Sequence, residues 1–192
     1  MSKKESISEM ESRVEKKIAV MKRMGYKHIH EKTKVRVGKY EVYIGGSAFI
    51  KQGDLEDVDV VIPIECAPLP MLFGNRYEVL CGYWEYDDDV KGQWPEFMAK
   101  VLVHLQAGKK IFAYCWAGHG RAGTFLASLI AILENKEKSP DPIYEARKRY
   151  CPKAVETTSQ ARMVFALRGE EPPERYRRRG SLVDQDDRFD EE

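Results

Sequence analysis

The sequence lacks the features that would place the protein in a membrane, in a disulfide-rich secreted class or on nucleic acid. Its 192 residues include only four cysteines, which form no Cys-x-x-Cys pair and follow no zinc-finger spacing with the histidines. No apolar run approaches the roughly 20 residues that a transmembrane helix needs, and the charged N-terminus does not resemble a secretory signal. The formal net charge is only +1, so the chain as a whole has no strong attraction for polyanions. We therefore expect a cytoplasmic protein with reduced thiols, no membrane contact, and no metal or other cofactor.

Composition and hydrophobic periodicity divide the chain into three parts. Apolar residues recur at helical spacing over 6–24, so residues 1–30 are predicted to form an N-terminal helical extension. Residues 31–168 are predicted to form one folded domain. From Gly169 the composition changes to Glu, Arg, Pro and Asp, and residues 169–192 are predicted to be a disordered, charged tail.

The predicted domain alternates strand-like and helix-like patterns. The run DVDVVIPI over 57–64 is rich in β-branched residues, which is typical of a strand buried on both faces. The other predicted strands span 34–37, 41–44, 77–83 and 111–114, and the predicted helices span 95–106, 122–133, 141–149 and 156–168. This alternation predicts an α/β fold in which helices flank a central, largely parallel sheet.

The stretch IFAYCWAGHGRAGTF, residues 111–125, combines a predicted strand, a glycine-rich loop and a buried helix. A loop that leads into a helix N-terminus directs backbone N–H groups inward and binds anions. An arginine at that point matches two phosphate oxygens, and the same positive field favours the thiolate form of a nearby cysteine. Cys115 is therefore the candidate nucleophile and Arg121 the candidate phosphate clamp. The candidate phosphate-binding loop comprises Trp116, Ala117, Gly118, His119, Gly120 and Arg121.

The simpler interpretation of this stretch is a buried structural cysteine that lies six residues before a helix-terminal arginine by chance. The Cys-x5-Arg spacing alone does not exclude it. The strand before Cys115, the glycines at the third, fifth and eighth positions after it, and the apolar helix behind are independent requirements of an anion-binding loop. Together they favour the functional interpretation. His119, inside the loop, is expected to point at solvent rather than to take part in catalysis.

The segment YCWAGHGRAGTF resembles the signature loop of the protein tyrosine phosphatase superfamily, HC-x-A-G-x-G-R-[ST]-G. Chain length and element order resemble the compact dual-specificity branch. YIGGS at 43–47 is similar to an entry strand of that branch, and AVETTSQ at 154–160 is similar to its V-Q-T-x-x-Q segment. The resemblance implies a cysteine-dependent protein phosphatase, a hydrolase of phosphotyrosine or dual specificity. It would cleave phosphomonoesters through a phosphocysteine intermediate, and a phosphorylated protein would be its substrate.

The same resemblance implies a general acid on a loop upstream of the nucleophile. YWEYDDD at 83–89 resembles the W-P-F-D-D version of that loop, in which the second aspartate is the acid. Asp88 is therefore the predicted acid and Asp87 the alternative. A purely structural interpretation is an acidic turn that caps the following helix. By the same resemblance, Glu156 and Gln160 are candidates for positioning the water that hydrolyses the phosphocysteine.

Three departures from the family pattern leave other functions open. Tyr114 replaces the signature histidine, Ala122 replaces the Ser/Thr after the arginine, and Glu156 replaces the first glutamine downstream. These changes are compatible with a phosphate-binding pseudophosphatase that traps a phosphorylated partner. A further alternative is an RNA 5′-triphosphatase, which uses the same type of loop and would need a basic channel. The candidates for such a channel are Arg147, Lys148, Arg149 and Lys153.

Overall fold

Five strands form one mixed sheet in the computed structural model, which describes residues 30–47, 50, 52–64, 78–80, 92–177 and 181–182. The strands are β1 (Thr33–Val37), β2 (Tyr40–Gly46), β3 (Val60–Pro63), β4 (Glu78–Val79) and β5 (Ile111–Cys115). Their order across the sheet is β1-β2-β5-β3-β4. Only the β1–β2 pair is antiparallel, and the pairs β2–β5, β5–β3 and β3–β4 are parallel. The prediction of a central, largely parallel sheet is therefore confirmed.

The central strand β5 is buried on both faces, as its apolar sequence requires. All five of its residues are buried, and alternate side chains enter two different clusters. Ile111, Ala113 and Cys115 belong to the larger core, whereas Phe112 and Tyr114 pack in a smaller cluster with side chains of the β2–β3 connection. Because successive side chains of a strand point to opposite faces, Cys115 lies on the face of the larger core.

The strand predicted over 57–64 is buried as expected but begins later, at Val60. Asp57 and Asp59, which precede the strand, are exposed, and their side chains make polar contacts. Asp57 pairs with Lys32 and accepts a hydrogen bond from Tyr43, and the Asp59 carboxylate accepts one from the Lys110 backbone N–H at 2.8 Å. The strand predicted over 77–83 is seen as Glu78–Val79, and most of the remainder lies outside the described residues.

The described residues form four α-helices. Helix α1 (Trp94–Gln106) lies between β4 and β5 in sequence, and α2 (Gly120–Leu133), α3 (Pro142–Arg149) and α4 (Thr158–Ala166) follow β5. Each contributes buried side chains to the larger core. Helix α2 is the central one, and eleven of its fourteen residues are buried. Helix α4 begins two residues later than predicted because Thr157 and Gln160 form a capping box at its N-terminus. No helix in the described part of the chain is both long and apolar enough to cross a bilayer.

The described residues of the C-terminal segment pack against the domain, so the prediction of disorder is wrong for 169–177 and 181–182. Tyr176, in the short 3-10 helix Glu174–Tyr176, is buried, and its hydroxyl donates to Asp141 Oδ2 at 2.8 Å. Leu182 is also buried, and its N–H donates to the Glu156 carbonyl at 2.9 Å. Two apolar anchors outweigh the charged average composition of the segment. The N-terminal extension predicted over 1–30 lies outside the described residues except for its last residue, His30.

Candidate active site

Cys115 lies at the carboxyl end of the central strand, next to Gly46 of β2 in the sheet register. Parallel strands end at the same edge of a sheet, and this edge is where ligands bind in open α/β folds. The side chain is only 4% exposed. The chain then turns through four residues and enters helix α2 at Gly120. The strand–loop–helix arrangement that the sequence predicts is therefore present.

The N-terminus of α2 is suited to binding an anion. The first N–H groups of a helix have no acceptor within the helix, and the helix dipole adds a partial positive charge there. His119 occupies the N-cap position without a side-chain capping hydrogen bond, and the first turn contains no acidic residue. The first helical bond runs from the Gly123 N–H to the His119 carbonyl at 2.7 Å. Gly120 and Arg121, which precede this bond, line the same pocket as Cys115.

One pocket of about 170 Å³ brings the predicted nucleophile and clamp together. A single water needs only about 10–15 Å³ on this measure, so the pocket has room for a phosphoryl group and water. Its lining comprises Cys115, Trp116, Ala117, His119, Gly120, Arg121 and Glu156. Of the predicted phosphate-binding loop, only Gly118 is not part of the lining. Gly118 instead faces the structure behind the loop.

Two contacts hold the back of the loop. Gly118 has φ +84°, a left-handed conformation that favours glycine, and its carbonyl accepts a hydrogen bond from the Tyr150 hydroxyl at 2.7 Å. Burial raises the pKa of Tyr150 well above its usual range, and the nearby Cys115 and Cys151 raise it further, so the phenol remains a donor. On the other side, a Cβ at Gly46 would lie 2.8 Å from the Ala117 carbonyl carbon. A glycine at the end of β2 is therefore needed for the loop to pack there.

His119 does not point at solvent, and the sequence-based expectation is wrong on this point. The residue is 4% exposed, and its Nδ1 lies 3.3 Å from the Sγ of Cys151, which is fully buried. Its ring also meets the ring of His30 edge to face, with the centroids 4.9 Å apart. The start of α2 turns the side chain inward, toward the segments before β1 and after α3.

Glu156 and Gln160, the candidates for positioning water, differ in their placement. Glu156 lines the pocket and lies so close to Gly120 that a Cβ there would collide with its carboxylate. Gln160 is 1% exposed and lies behind it, where its Oε1 accepts the backbone N–H of Glu156 at 2.6 Å. Glu156 is thus in a position to contact water in the pocket, whereas Gln160 fixes the backbone that carries Glu156.

The backbone just before Glu156 is strained. Val155 has φ +63°, which is a true outlier for a β-branched residue and costs on the order of 1–3 kcal/mol. The Arg147 guanidinium holds this turn by donating to the Ala154 carbonyl at 2.9 Å and the Val155 carbonyl at 3.0 Å. The sequence did not indicate these roles of Arg147 or Tyr150. Both act on backbone carbonyls, which leave no local motif.

The predicted general acid Asp88 and its alternative Asp87 lie outside the described residues. The N-cap of α1 is Gln93, and it makes no side-chain capping hydrogen bond. The role of Asp88 as the acid and the alternative of a helix cap therefore both stay predictions.

Solved structures of similar fold are tyrosine and dual-specificity phosphatases. The chain is similar to Tk-PTP in its active form, with a TM-score of 0.57, 20% identity, and coverage of 71% of this chain and 97% of that one. It is also similar to human DUSP28, with a TM-score of 0.55, 13% identity and coverage of 73% and 95%. A third is the human tyrosine phosphatase-like serine/threonine/tyrosine-interacting protein, with a TM-score of 0.51, 16% identity and coverage of 72% and 95%.

These similarities define the fold class. The chain has the α/β fold of the cysteine phosphatases. Within that class it has the compact form seen in the dual-specificity phosphatases, as the resemblance in chain length and element order implied.

Similarity in sequence covers only part of the chain. No family model matches the chain. Two uncharacterized proteins of Methanocaldococcus jannaschii are 39% and 38% identical to it over 65 residues, which is 34% of this chain. The matches span 38% and 42% of the length of those relatives.

Proposed function

We propose that the protein is a cysteine-dependent phosphatase that hydrolyses phosphomonoesters on protein side chains through a phosphocysteine intermediate. The observation that carries the proposal is the shared pocket. Cys115 lies at the end of a buried strand, Arg121 lies in the first turn of α2, and both line the same cavity at a helix N-terminus. This combination supplies a nucleophile, a bidentate cation and a set of backbone donors for one phosphoryl group.

In the first step the Cys115 thiolate attacks phosphorus, the phosphorus–oxygen bond to the side chain breaks, and the leaving oxygen takes a proton from Asp88. In the second step a water attacks phosphorus, the sulfur–phosphorus bond breaks, and the water gives up a proton to Asp88 or Glu156. The products are the alcohol or phenol and inorganic phosphate. Arg121 and the α2 N–H groups stabilise the equatorial oxygens in both steps.

Glu156 places a negative charge at the pocket, which a neutral glutamine would not. Its carboxylate lines the pocket, so it repels the phosphate dianion but is able to accept a proton from the attacking water. Ala122 has no hydroxyl to offer the departing thiolate, and the nearby Thr124 hydroxyl donates to the Gly120 carbonyl at 2.8 Å. We infer that hydrolysis of the phosphocysteine is the slower step and that Glu156 assists it.

The basic channel that an RNA 5′-triphosphatase would need has little support. The Arg147 guanidinium is engaged with the Ala154 and Val155 carbonyls. The Arg149 guanidinium bonds to Glu134 and Glu145. Phosphorylated proteins therefore remain the favoured substrates. Because oxidation of the nucleophile would stop the reaction, we place the activity in a reducing compartment such as the cytoplasm.

The test is a comparison of Cys115→Ser with the matched variant Cys81→Ser. With p-nitrophenyl phosphate and phosphotyrosine peptides, Cys115→Ser should lose turnover but still bind inorganic phosphate, since Arg121 and the helix N-terminus remain. Cys81→Ser should keep both. Activity above a few per cent in Cys115→Ser would remove Cys115 from the mechanism. A burst without turnover in the unaltered protein would favour the pseudophosphatase, and preference for triphosphorylated RNA would favour the RNA 5′-triphosphatase.

A further inference from the structure

Three side chains with metal-ligating atoms meet directly behind the phosphate-binding loop. His30 precedes β1, His119 is the N-cap of α2, and Cys151 follows α3. One ligand atom from each lies within 4.8 Å of the other two. His119 and Cys151 are buried, and His30 is partly buried. The three residues are far apart in sequence, so the fold alone brings them together.

The spacing of these atoms is close to that of a tetrahedral metal site. Zinc–nitrogen bonds of about 2.0–2.1 Å and a zinc–sulfur bond of about 2.3 Å place N and S about 3.5 Å apart in a tetrahedron. The observed distance between His119 Nδ1 and Cys151 Sγ is 3.3 Å. A metal ion could therefore enter with shifts of a few tenths of an ångström in this pair and a larger adjustment of His30.

The backbone around the cluster is already fixed. The His30 carbonyl accepts a hydrogen bond from the Gly46 N–H at 2.8 Å, which ties it to the end of β2. The Lys153 N–H donates to Cys151 Sγ at 3.3 Å, an arrangement that also stabilises a thiolate. The ligands thus come from three anchored segments, as in a site that is preformed before the ion binds.

We propose that His30, His119 and Cys151 form a binding site for a divalent cation that accepts imidazole and thiolate ligands, with Zn²⁺ as the first candidate. Three protein ligands leave the fourth tetrahedral position to water. When the ion binds, the Cys151 thiol releases its proton to solvent and the sulfur–metal bond forms. This site shares His119 with the lining of the phosphate pocket, but it does not include Cys115, and the proposed phosphatase chemistry needs no metal.

Two consequences follow from the position of the site. The ion would connect the loop residue His119 to the segments before β1 and after α3, and it would add positive charge behind the anion pocket. We therefore expect bound metal to strengthen the binding of inorganic phosphate.

The experiment uses the full chain carrying Cys115→Ser, so that the nucleophile cannot supply the thiolate. After removal of metals by a chelator, Co²⁺ is titrated and followed by absorption. We expect one equivalent to bind with a sulfur-to-cobalt charge-transfer band in the near ultraviolet, and Zn²⁺ to abolish the band. Added in this background, Cys151→Ser should remove the band, and His30→Gln should weaken Co²⁺ binding at least tenfold. Cys81→Ser and His104→Gln are the matched controls and should change neither.

The outcome that overturns the proposal is clear-cut. If the Cys115→Ser chain binds no Co²⁺ at tens of micromolar, or binds it without the charge-transfer band, the 3.3 Å contact between His119 and Cys151 is a hydrogen bond only. If the unaltered protein shows the band and the Cys115→Ser chain does not, the metal is bound by the nucleophile. Because Cys151→Ser alters a buried position, circular dichroism checks its fold, and His30→Gln provides an independent test. None of these measurements depends on phosphatase activity.

Discussion

The substitution Gly46→Ala tests whether the end of β2 sets the position of the phosphate-binding loop. A Cβ at Gly46 would lie 2.8 Å from the Ala117 carbonyl carbon and 3.0 Å from the carbonyl oxygens of Ala117 and Trp116. All three atoms belong to the loop backbone, so no side chain can rotate away. The Gly46 backbone is itself held, because its N–H donates to the His30 carbonyl and it pairs with Cys115 in the sheet. The loop must therefore move.

The size of the movement follows from the contact. Ala117 has to retreat by about 0.6 Å to restore an ordinary distance of 3.4 Å. Since a misplacement of about 1 Å at a catalytic site can cost roughly 100-fold in rate, we expect kcat/KM to fall roughly tenfold or more. Overpacking should also lower the free energy of unfolding by about 1–3 kcal/mol.

The matched control is Gly53→Ala. Gly53 lies in the 3-10 helix Gln52–Leu55, and an added Cβ would meet no atom within 4 Å. Hydrolysis of p-nitrophenyl phosphate, inhibition by inorganic phosphate and thermal melting should be measured for both variants. Gly53→Ala should match the unaltered protein in all three. If Gly46→Ala retains activity and phosphate affinity within twofold, β2 does not set the position of the loop.

Four other substitutions test the remaining roles. Arg121→Lys replaces a bidentate cation with a point charge and should lower turnover at least 100-fold, about 3 kcal/mol of transition-state stabilisation; a loss under tenfold would make Arg121 a structural residue. Asp88→Asn should lower turnover on a phosphotyrosine peptide by about 10²–10⁴-fold and flatten the basic limb of the pH–rate profile, whereas Asp87→Asn should have little effect. The reverse result would assign the role of general acid to Asp87. Glu156→Gln should tighten inhibition by inorganic phosphate and lower the rate of phosphocysteine hydrolysis, as measured by the burst and steady-state phases. Unchanged inhibition would contradict the placement of its carboxylate, and an unchanged rate would contradict its assistance to hydrolysis. Glu134→Gln should lower the free energy of unfolding at pH 7 but not below pH 2. Hydrogen bonds from an arginine lower the pKa of Glu134 from 4.5 to about 2, so the stability that its carboxylate contributes is lost as the pH falls through that interval. Equal effects of the substitution in denaturant melts at both pH values would refute this prediction.

The parts of the fold that the sequence predicted are those governed by local patterns. The apolar strand Ile111–Cys115, the glycine-rich loop and the apolar helix Gly120–Leu133 each carry their signal within a few residues. The sheet edge at which Cys115 lies follows from strand–helix alternation, since parallel strands share their carboxyl edge. The acid loop, with Asp87 and Asp88, lies outside the described residues and stays a prediction.

The features that the sequence did not predict depend on contacts between distant segments. His119 lies 32 residues from Cys151, and Tyr150 lies 32 residues from Gly118, so no periodic pattern relates the members of either pair. The C-terminal segment shows a different cause. Its average composition is charged, but the buried residues Tyr176 and Leu182 anchor the segment on the core. Average composition reports the many exposed residues and conceals the few buried ones.

The hydrogen bond from Tyr150 to the Gly118 carbonyl also affects the thermodynamics of ligand binding. Together with the contact at Gly46, it restricts the loop while the pocket is empty. The conformational entropy of the loop is therefore lost when the chain folds and not when an anion arrives. Binding of small tetrahedral oxyanions should then show a small heat-capacity change and an association rate set by charge, since little surface or structure has to rearrange. The loop would distinguish ligands by their fit to a fixed shape.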